Sequence, residues 1–225
     1  MDAKKEEGIF RLNGGGKEIQ QLCAELDNGR VVDWDKYQNP HTLACVLKKY
    51  YRETYTIHPL IPSFVYSEVL DIPRIGGDTV AQFKAVFAKI NRSTYQELAL
   101  LMTYLHEVSL ECEQNKMDAS NLSRMFGPNI LLLKDENPDM IDVKKHEARN
   151  AAIELLIQNA DKIFEGFQLS PLNVLKDEEI QKISPTQFSY QDIANSLRLR
   201  KLRMNSLIPY LPKEFYNASN FVHPK

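Results

Sequence analysis

The residue with the clearest chemical potential in this chain is Arg11, in the stretch EEGIFRLNGGGKE over residues 6–18. It lies between an apolar pair, Ile9 and Phe10, and three consecutive glycines, Gly14, Gly15 and Gly16. Three readings fit that setting. Arg11 is a surface charge ahead of a loop, a phosphate ligand beside a glycine-rich turn, or a cation held out by its backbone toward something that docks. The phosphate-loop reading fails on its own requirements. Such a loop needs a glycine, four residues, then Gly-Lys and a Ser or Thr whose hydroxyl holds magnesium. Here Gly16-Lys17 is followed by Glu18, Arg11 takes the first-glycine place, and no hydrophobic strand precedes it.

Other chemistries find less support. No Gly-x-Ser-x-Gly elbow is present for a serine hydrolase. The carboxylates are scattered along helical segments, where solvated surface pairs explain them. Cys23, Cys45 and Cys112 are far apart, odd in number and set in apolar-periodic segments, so they read as reduced thiols packed in the core. His41, His58, His106, His146 and His223 have no metal-ligand spacing with those cysteines, and no metal site is expected. By its own motifs the chain does not read as an enzyme acting on a small molecule.

The elements that would position Arg11 read as helices. Ile19, Leu22, Cys23 and Leu26 share one face of a segment from Lys17 to Leu26. Asn39 caps the next helix, with Pro40 at its first position and a stripe of Leu43, Val46, Leu47, Tyr50 and Tyr51. SFVYSEVL is a short helix, and DTVAQFKAVFAKI carries Val80, Phe83, Val86, Phe87 and Ile90 on one face. The longest is STYQELALLMTYLHEVSLECEQN, with Ser93 and Gln96 as a capping box. DASNLSRMF starts at the cap Asp118 and is halted by Gly127-Pro128. KKHEARNAAIELLIQNADKIFEG closes the compact part at Gly166. Only short pieces such as RVVDW are candidates for extended chain. The pattern predicts an all-α bundle of about seven helices over residues 1–166.

Composition narrows the class. The chain has 225 residues with 28 Lys and Arg against 30 Asp and Glu, a net charge of −2, which argues against nucleic acid as the partner. The N-terminus is charged and lacks a signal sequence, and no run approaches the roughly 18 apolar residues of a membrane span. A cytoplasmic location is expected. Residues 167–225 change in texture: prolines 171 and 185 mark a linker or a loosely packed extension, and an amphipathic stretch follows with Ile193, Leu197, Met204 and Ile208 roughly in register. Its basic run, Arg198, Arg200, Lys201 and Arg203, reads as a solvated helix face, a contact for an anionic membrane surface, or a regulatory contact.

Three stretches stand out together. They are Glu7-Gly8-Ile9-Phe10-Arg11-Leu12-Asn13-Gly14, Leu47-Lys48-Lys49-Tyr50-Tyr51-Arg52-Glu53 and Asn121-Leu122-Ser123-Arg124-Met125-Phe126-Gly127-Pro128-Asn129-Ile130. In this order and spacing they resemble the Rho-family GTPase-activating domain. That family reads Glu-Gly-Ile-Phe-Arg-x-x-Gly, then Leu-Lys-x-Tyr-Leu-Arg-Glu, then Asn-Leu-Ala-x-x-Phe-Gly-Pro-Asn-Leu. NKMDASNL and HPLIP also look like the family, and the resemblance covers residues 6 to 166.

The resemblance implies roles. Arg11 becomes an arginine finger inserted into the active site of a bound GTPase, with Gly8, Asn13 and Gly14 shaping its loop. Glycines 14 to 16 let the partner approach closely and let the next helix start after a sharp turn. Lys48 and Arg52, four apart on one helix face, pack beside the finger loop and contact the GTPase, and Asn129 hydrogen-bonds it. Without the resemblance, Lys48 and Arg52 read as a solvated face and Asn129 as a turn or capping residue. The implied partner is a Rho- or Rac-type GTPase in its GTP state. No cofactor belongs to this chain, since GTP and magnesium belong to the partner. The alternative is a module of the same fold that binds the GTPase, or serves as a scaffold, without accelerating hydrolysis.

Two departures accompany the match. The family usually carries a further helix ahead of the arginine, whereas Met1 lies ten residues before Arg11. The stretch Ile193 to Ile208 is expected to take that helix's place, in the same or a neighbouring molecule, so that deleting residues 185–225 would change stability or oligomeric state. The family's Leu-Pro after Arg-Glu is replaced by Thr54-Tyr55, which alters a connecting turn and no proposed catalytic group.

Overall fold

A computed structural model of the chain describes residues 3–27, 33, 36–54, 59–131 and 143–167. Among them the regular elements are all helical. The α-helices are α1 (Gly16–Asp27), α2 (Pro40–Thr54), α3 (Tyr66–Ile75), α4 (Thr79–Phe87), α5 (Arg92–Leu110), α6 (Cys112–Asn115), α7 (Ala119–Ile130), α8 (Val143–Gln158) and α9 (Ala160–Ile163). Short 3-10 turns occupy Ala3–Lys5 and Ser63–Val65. The all-α expectation holds. Seven predicted helices become nine among the described residues because the two longest break near their ends, at Glu111 and at Asn159.

Local chemistry explains most starts. The Asn39 side chain accepts the His41 amide at 2.9 Å, with Pro40 first in α2, as expected. Asp78 caps α4 through the Ala81 amide, and Asp118 caps α7 through the Asn121 amide at 2.7 Å. Two expectations need correction. α5 starts at Arg92, capped by Asn91, whose side chain accepts from the Thr94 amide at 2.9 Å; Ser93 therefore lies inside the helix and not at its cap. Gly127-Pro128 does not halt α7, which continues to Ile130. The Asn129 amide donates to the Met125 carbonyl at 2.7 Å and the Leu131 amide closes onto Gly127 at 3.1 Å, so the last turn survives the missing proline N–H. Packing favours that continuation, since a Cβ on Gly127 would meet Asn150 and Arg149 of α8 at 3.3 and 3.5 Å.

α8 lies along α7 and against α3 and α5, and α2 packs on α7. The main core runs through these helices, from a stack of Phe83, Phe87 and Phe164 to a group of Phe10, Tyr104 and Phe126. A separate cluster, Leu22, Tyr37, Leu43 and Val46, joins α1 to α2, with Ile19, Cys23 and Leu26 packed on it. The predicted face of α1 is therefore correct, and the helix begins at Gly16, one residue before Lys17. Cys23, Cys45 and Cys112 are only half-buried, not the core residues expected. Most of RVVDW and all of the 168–225 extension, with its basic run and its Ile193–Ile208 stretch, lie outside the described residues.

Candidate functional site

The turn that carries Arg11 is built from buried neighbours. Its backbone closes through Ile9 N–H to the Glu6 carbonyl (3.1 Å), Arg11 N–H to the Gly8 carbonyl (2.9 Å) and Leu12 N–H to the same carbonyl (2.8 Å). Ile9 and Phe10 are both 0% exposed. The Phe10 ring meets Phe126 edge-on at 4.9 Å and Tyr104 at 6.1 Å. Burying a ring of this size contributes about 1.5–3 kcal/mol, with further gain from the edge-to-face contacts. That gain holds Phe10 in a left-handed backbone conformation, φ 66°, which costs a bulky residue on the order of 1–3 kcal/mol. The next residue, Arg11, is thereby turned out to the surface.

Gly8 has two reasons to be glycine. Its φ is +69°, and a Cβ would stand 2.7 Å from Leu12 Cγ and 3.3 Å from Arg11 Nη2. The arginine side chain thus lies back over Gly8. Among the described residues its guanidinium has no ion-pair partner.

Lys48 is tied directly to this turn: its Nζ donates to the Phe10 carbonyl. The shared face of α2 therefore has its first member bonded to the loop. Arg52 stands one helical turn further along α2, exposed. Asn129 is half-buried in the last turn of α7, and its amide nitrogen serves its own helix through Met125. Of these three, Lys48 is seen bonded directly to the Arg11 turn. Asn13 is exposed, with Oδ1 3.8 Å from Cys45 Sγ on α2.

Gly14 is close-packed within its own chain. A Cβ on it would lie 2.3 Å from the Thr42 nitrogen and 2.4 Å from its Cα. Gly14 thus allows the loop to pack on the first turn of α2, and is half-buried there. Gly15 precedes α1, and Gly16 begins it in open space.

Three features escape a reading of local sequence. Asn115, fully buried, donates to the Lys4 and Val108 carbonyls at 2.6 and 2.8 Å and accepts from the Met117 amide at 2.6 Å, while its own carbonyl receives Gly8 N–H at 2.7 Å. It locks the back of the turn across a separation no local pattern reveals. Glu6, which opens the turn, faces His41 Nε2 at 3.7 Å. Thr42 bonds both the loop and α1. Beside Arg52, Tyr51 is buried, and burial, reinforced by the Glu97 carboxylate and then by Tyr50, pushes its pKa well above 10.0. Among the described residues no three His, Cys, Asp or Glu groups converge on a metal position, and no helix is long and apolar enough to cross a membrane.

A sequence model described as the RhoGAP domain matches residues 1–135. The chain is 31% identical over 183 residues to Rho GTPase-activating protein 8 of Mus musculus, covering 80% of this chain and 42% of that protein. It is 30% identical over 159 residues to Rho GTPase-activating protein 1 of Homo sapiens, covering 70% of this chain and 35% of that one. It thus spans less than half the length of these relatives. Among solved structures, human Rho GTPase activating protein 15 superposes with a TM-score of 0.64 at 22% identity over 72% of this chain and 76% of that one. The BH domain of GRAF, the GTPase regulator associated with focal adhesion kinase, does so with a TM-score of 0.59 at 24% identity over 72% and 85%. Those two likenesses establish the all-α fold; the sequence match over more than half of its length, together with the relatives that carry it, makes this chain a member of the RhoGAP domain family.

Proposed function

We propose that this chain activates a Rho-family GTPase by placing Arg11 into the partner's active site. The observation that carries the reading is an exposed arginine on a turn whose two preceding residues, Ile9 and Phe10, are fully buried. A rigid display of a mobile cation is what such a reaction needs. Transfer of the γ-phosphoryl group spreads negative charge over the moving group and the leaving oxygen, and little covalent chemistry is left to the protein. A guanidinium supplies charge and forked donors in a site from which water is excluded. An arginine finger of this kind is worth on the order of 10³–10⁵ in rate. GTP and magnesium are the partner's; this chain contributes the cation and a docking surface.

In this reading Arg11 swings from its rest over Gly8 into the partner by side-chain rotation, while the backbone stays fixed. Lys48 holds the Phe10 carbonyl, and with it the direction in which residue 11 leaves the turn. Arg52, exposed on α2, and Asn129 at the end of α7 border the docking surface for a Rho- or Rac-type GTPase in its GTP state. The test is single-turnover GTP hydrolysis by a panel of Rho- and Rac-type GTPases, with this protein and with Arg11→Ala. The expected result is strong acceleration that collapses in the variant while binding to the GTP form persists. Binding without acceleration by the unaltered chain would replace this reading with that of a recognition module.

A further inference from the structure

The Arg11 loop has two stems. The first is fixed by Ile9, Phe10 and the Asn115 carbonyl. The second, Gly14-Gly15, enters α1, and its fixation is of an unusual kind. The residue before α1 is Gly15, which has no side chain to cap the free amides of the first turn. In a capping box the third residue of the helix, a Glu, would reach back to the amide of the residue before it. Here the third residue is Glu18, but the two are joined through another helix. Gly15 N–H donates to Thr42 Oγ1 at 3.2 Å, and Thr42 Oγ1 donates to Glu18 Oε2 at 2.8 Å. The hydroxyl that α1 lacks is lent by the first turn of α2.

The lender is itself immobile. Thr42 is 0% exposed, its amide bonds the Asn39 carbonyl at 3.1 Å, and Gly14 is pressed against its backbone. Glu18, on the outside, folds over Gly15, its Oε2 3.3 Å from where a Cβ would stand. Its carboxylate is also well placed against the positive end of α1. The same α2 that anchors the first stem through Lys48 thus anchors the second through Thr42, with Arg11 between the two anchors.

We propose that Thr42 and Glu18 are positioning residues for Arg11: their relay fixes the second stem of the loop and so the path along which the guanidinium reaches the partner's phosphate. This rests on the activator reading above. Misplacement of a reacting group by about 1 Å, caused from a distance, can lower a rate by up to 10²-fold. Loss of the relay should therefore appear in the rate at saturation and leave affinity nearly untouched.

The experiment uses the full 225-residue chain and a GTP-loaded Rho-type GTPase that it activates. Thr42→Val keeps the shape and removes the hydroxyl, Thr42→Ser keeps the hydroxyl, and Glu18→Ala removes the acceptor from an exposed position. In single-turnover assays, Thr42→Val and Glu18→Ala are expected to lower the saturating rate about tenfold, with the apparent Kd changed less than about twofold and Thr42→Ser close to wild type. In an Arg11→Ala background Thr42→Val should cost nothing more, because the residue acts through the arginine. Hydrogen exchange at the Gly15 amide should be slow in the wild type and accelerate in Thr42→Val. A Thr42→Val or Glu18→Ala chain that keeps the full saturating rate, while Arg11→Ala abolishes it, overturns the relay and leaves the activator reading intact. An equal loss in the Arg11→Ala background assigns Thr42 a purely structural role and also overturns it. A wild-type chain that binds and does not accelerate removes both.

Discussion

Arg11 is exposed and its guanidinium has no ion-pair partner among the described residues, so its removal should cost the fold almost nothing. Arg11→Ala is expected to melt within a degree or two of the wild type in a calorimetric scan, an effect below about 0.5 kcal/mol, while the stimulated GTPase rate falls on the order of 10³-fold. Tyr51 behaves in the opposite way, silent in any assay near neutral pH and visible in alkali. Its folded pKa is raised well above 10.0, so the folded state holds the phenolic proton more tightly than the unfolded chain. The stability this provides is fully present below the unfolded value and drains away as pH rises through the folded one. Between about pH 9 and about pH 11 the melting temperature of the wild type should fall more steeply than that of Tyr51→Phe. Parallel curves would remove Tyr51 from the account. At this scale the sequence singled out Arg11, whose exposure the structure shows, because an arginine between buried apolar residues and a glycine run stands out in a short motif. Asn115 was illegible: it acts through Gly8, and only the folded chain brings the two together.

At the scale of elements, α2 serves both stems of the loop, through Lys48 and Thr42, and the gap between α2 and the loop is set by a glycine. Gly14→Ala would place a methyl carbon 2.3 Å from the Thr42 backbone nitrogen, where no side-chain rotation relieves it. We expect a loss of about 1–3 kcal/mol in denaturant unfolding, and lost acceleration even where the variant is mostly folded. The helix starts at Asn39 and Asp118 were readable because a capping side chain and the amide it serves are neighbours in sequence. The start of α5 and the end of α7 were not. Asn91 competes with Ser93 two residues later, and geometry decides between them. Gly127-Pro128 carries a stop signal, which packing against Arg149 and Asn150 of α8 and the Asn129 amide override.

Across the whole molecule, the two clusters divide the labour. The main core unites α3, α4, α5, α7 and α8 with the first half of the loop, through Ile9 and Phe10. α1 belongs to the smaller cluster with Leu22, Tyr37, Leu43 and Val46. A helix held by a small apolar cluster opens at lower free energy than the body it rests on. Native-state hydrogen exchange should therefore show the amides of α1 exchanging through a sub-global opening, at lower denaturant than those of α5 and α8. A single shared isotherm for α1 and α5 would contradict this. The fold class was legible from helical periodicity alone, whereas the split into two clusters depends on which apolar faces meet, and periodicity is blind to that.

The outward display of Arg11 has a genetic consequence. The instructions for shaping the turn are written in Ile9, Phe10, Gly8, Asn115 and Lys48, and none of them is written in residue 11 itself. A single missense change at that position would therefore pass every cellular check on folding and abundance. On the activator reading proposed above, its product would still occupy the GTPase without discharging it, shielding the active form from an intact copy of the chain. Such an allele would act dominantly, whereas alleles that damage Phe10 or Gly14 would be cleared as misfolded chains and act recessively.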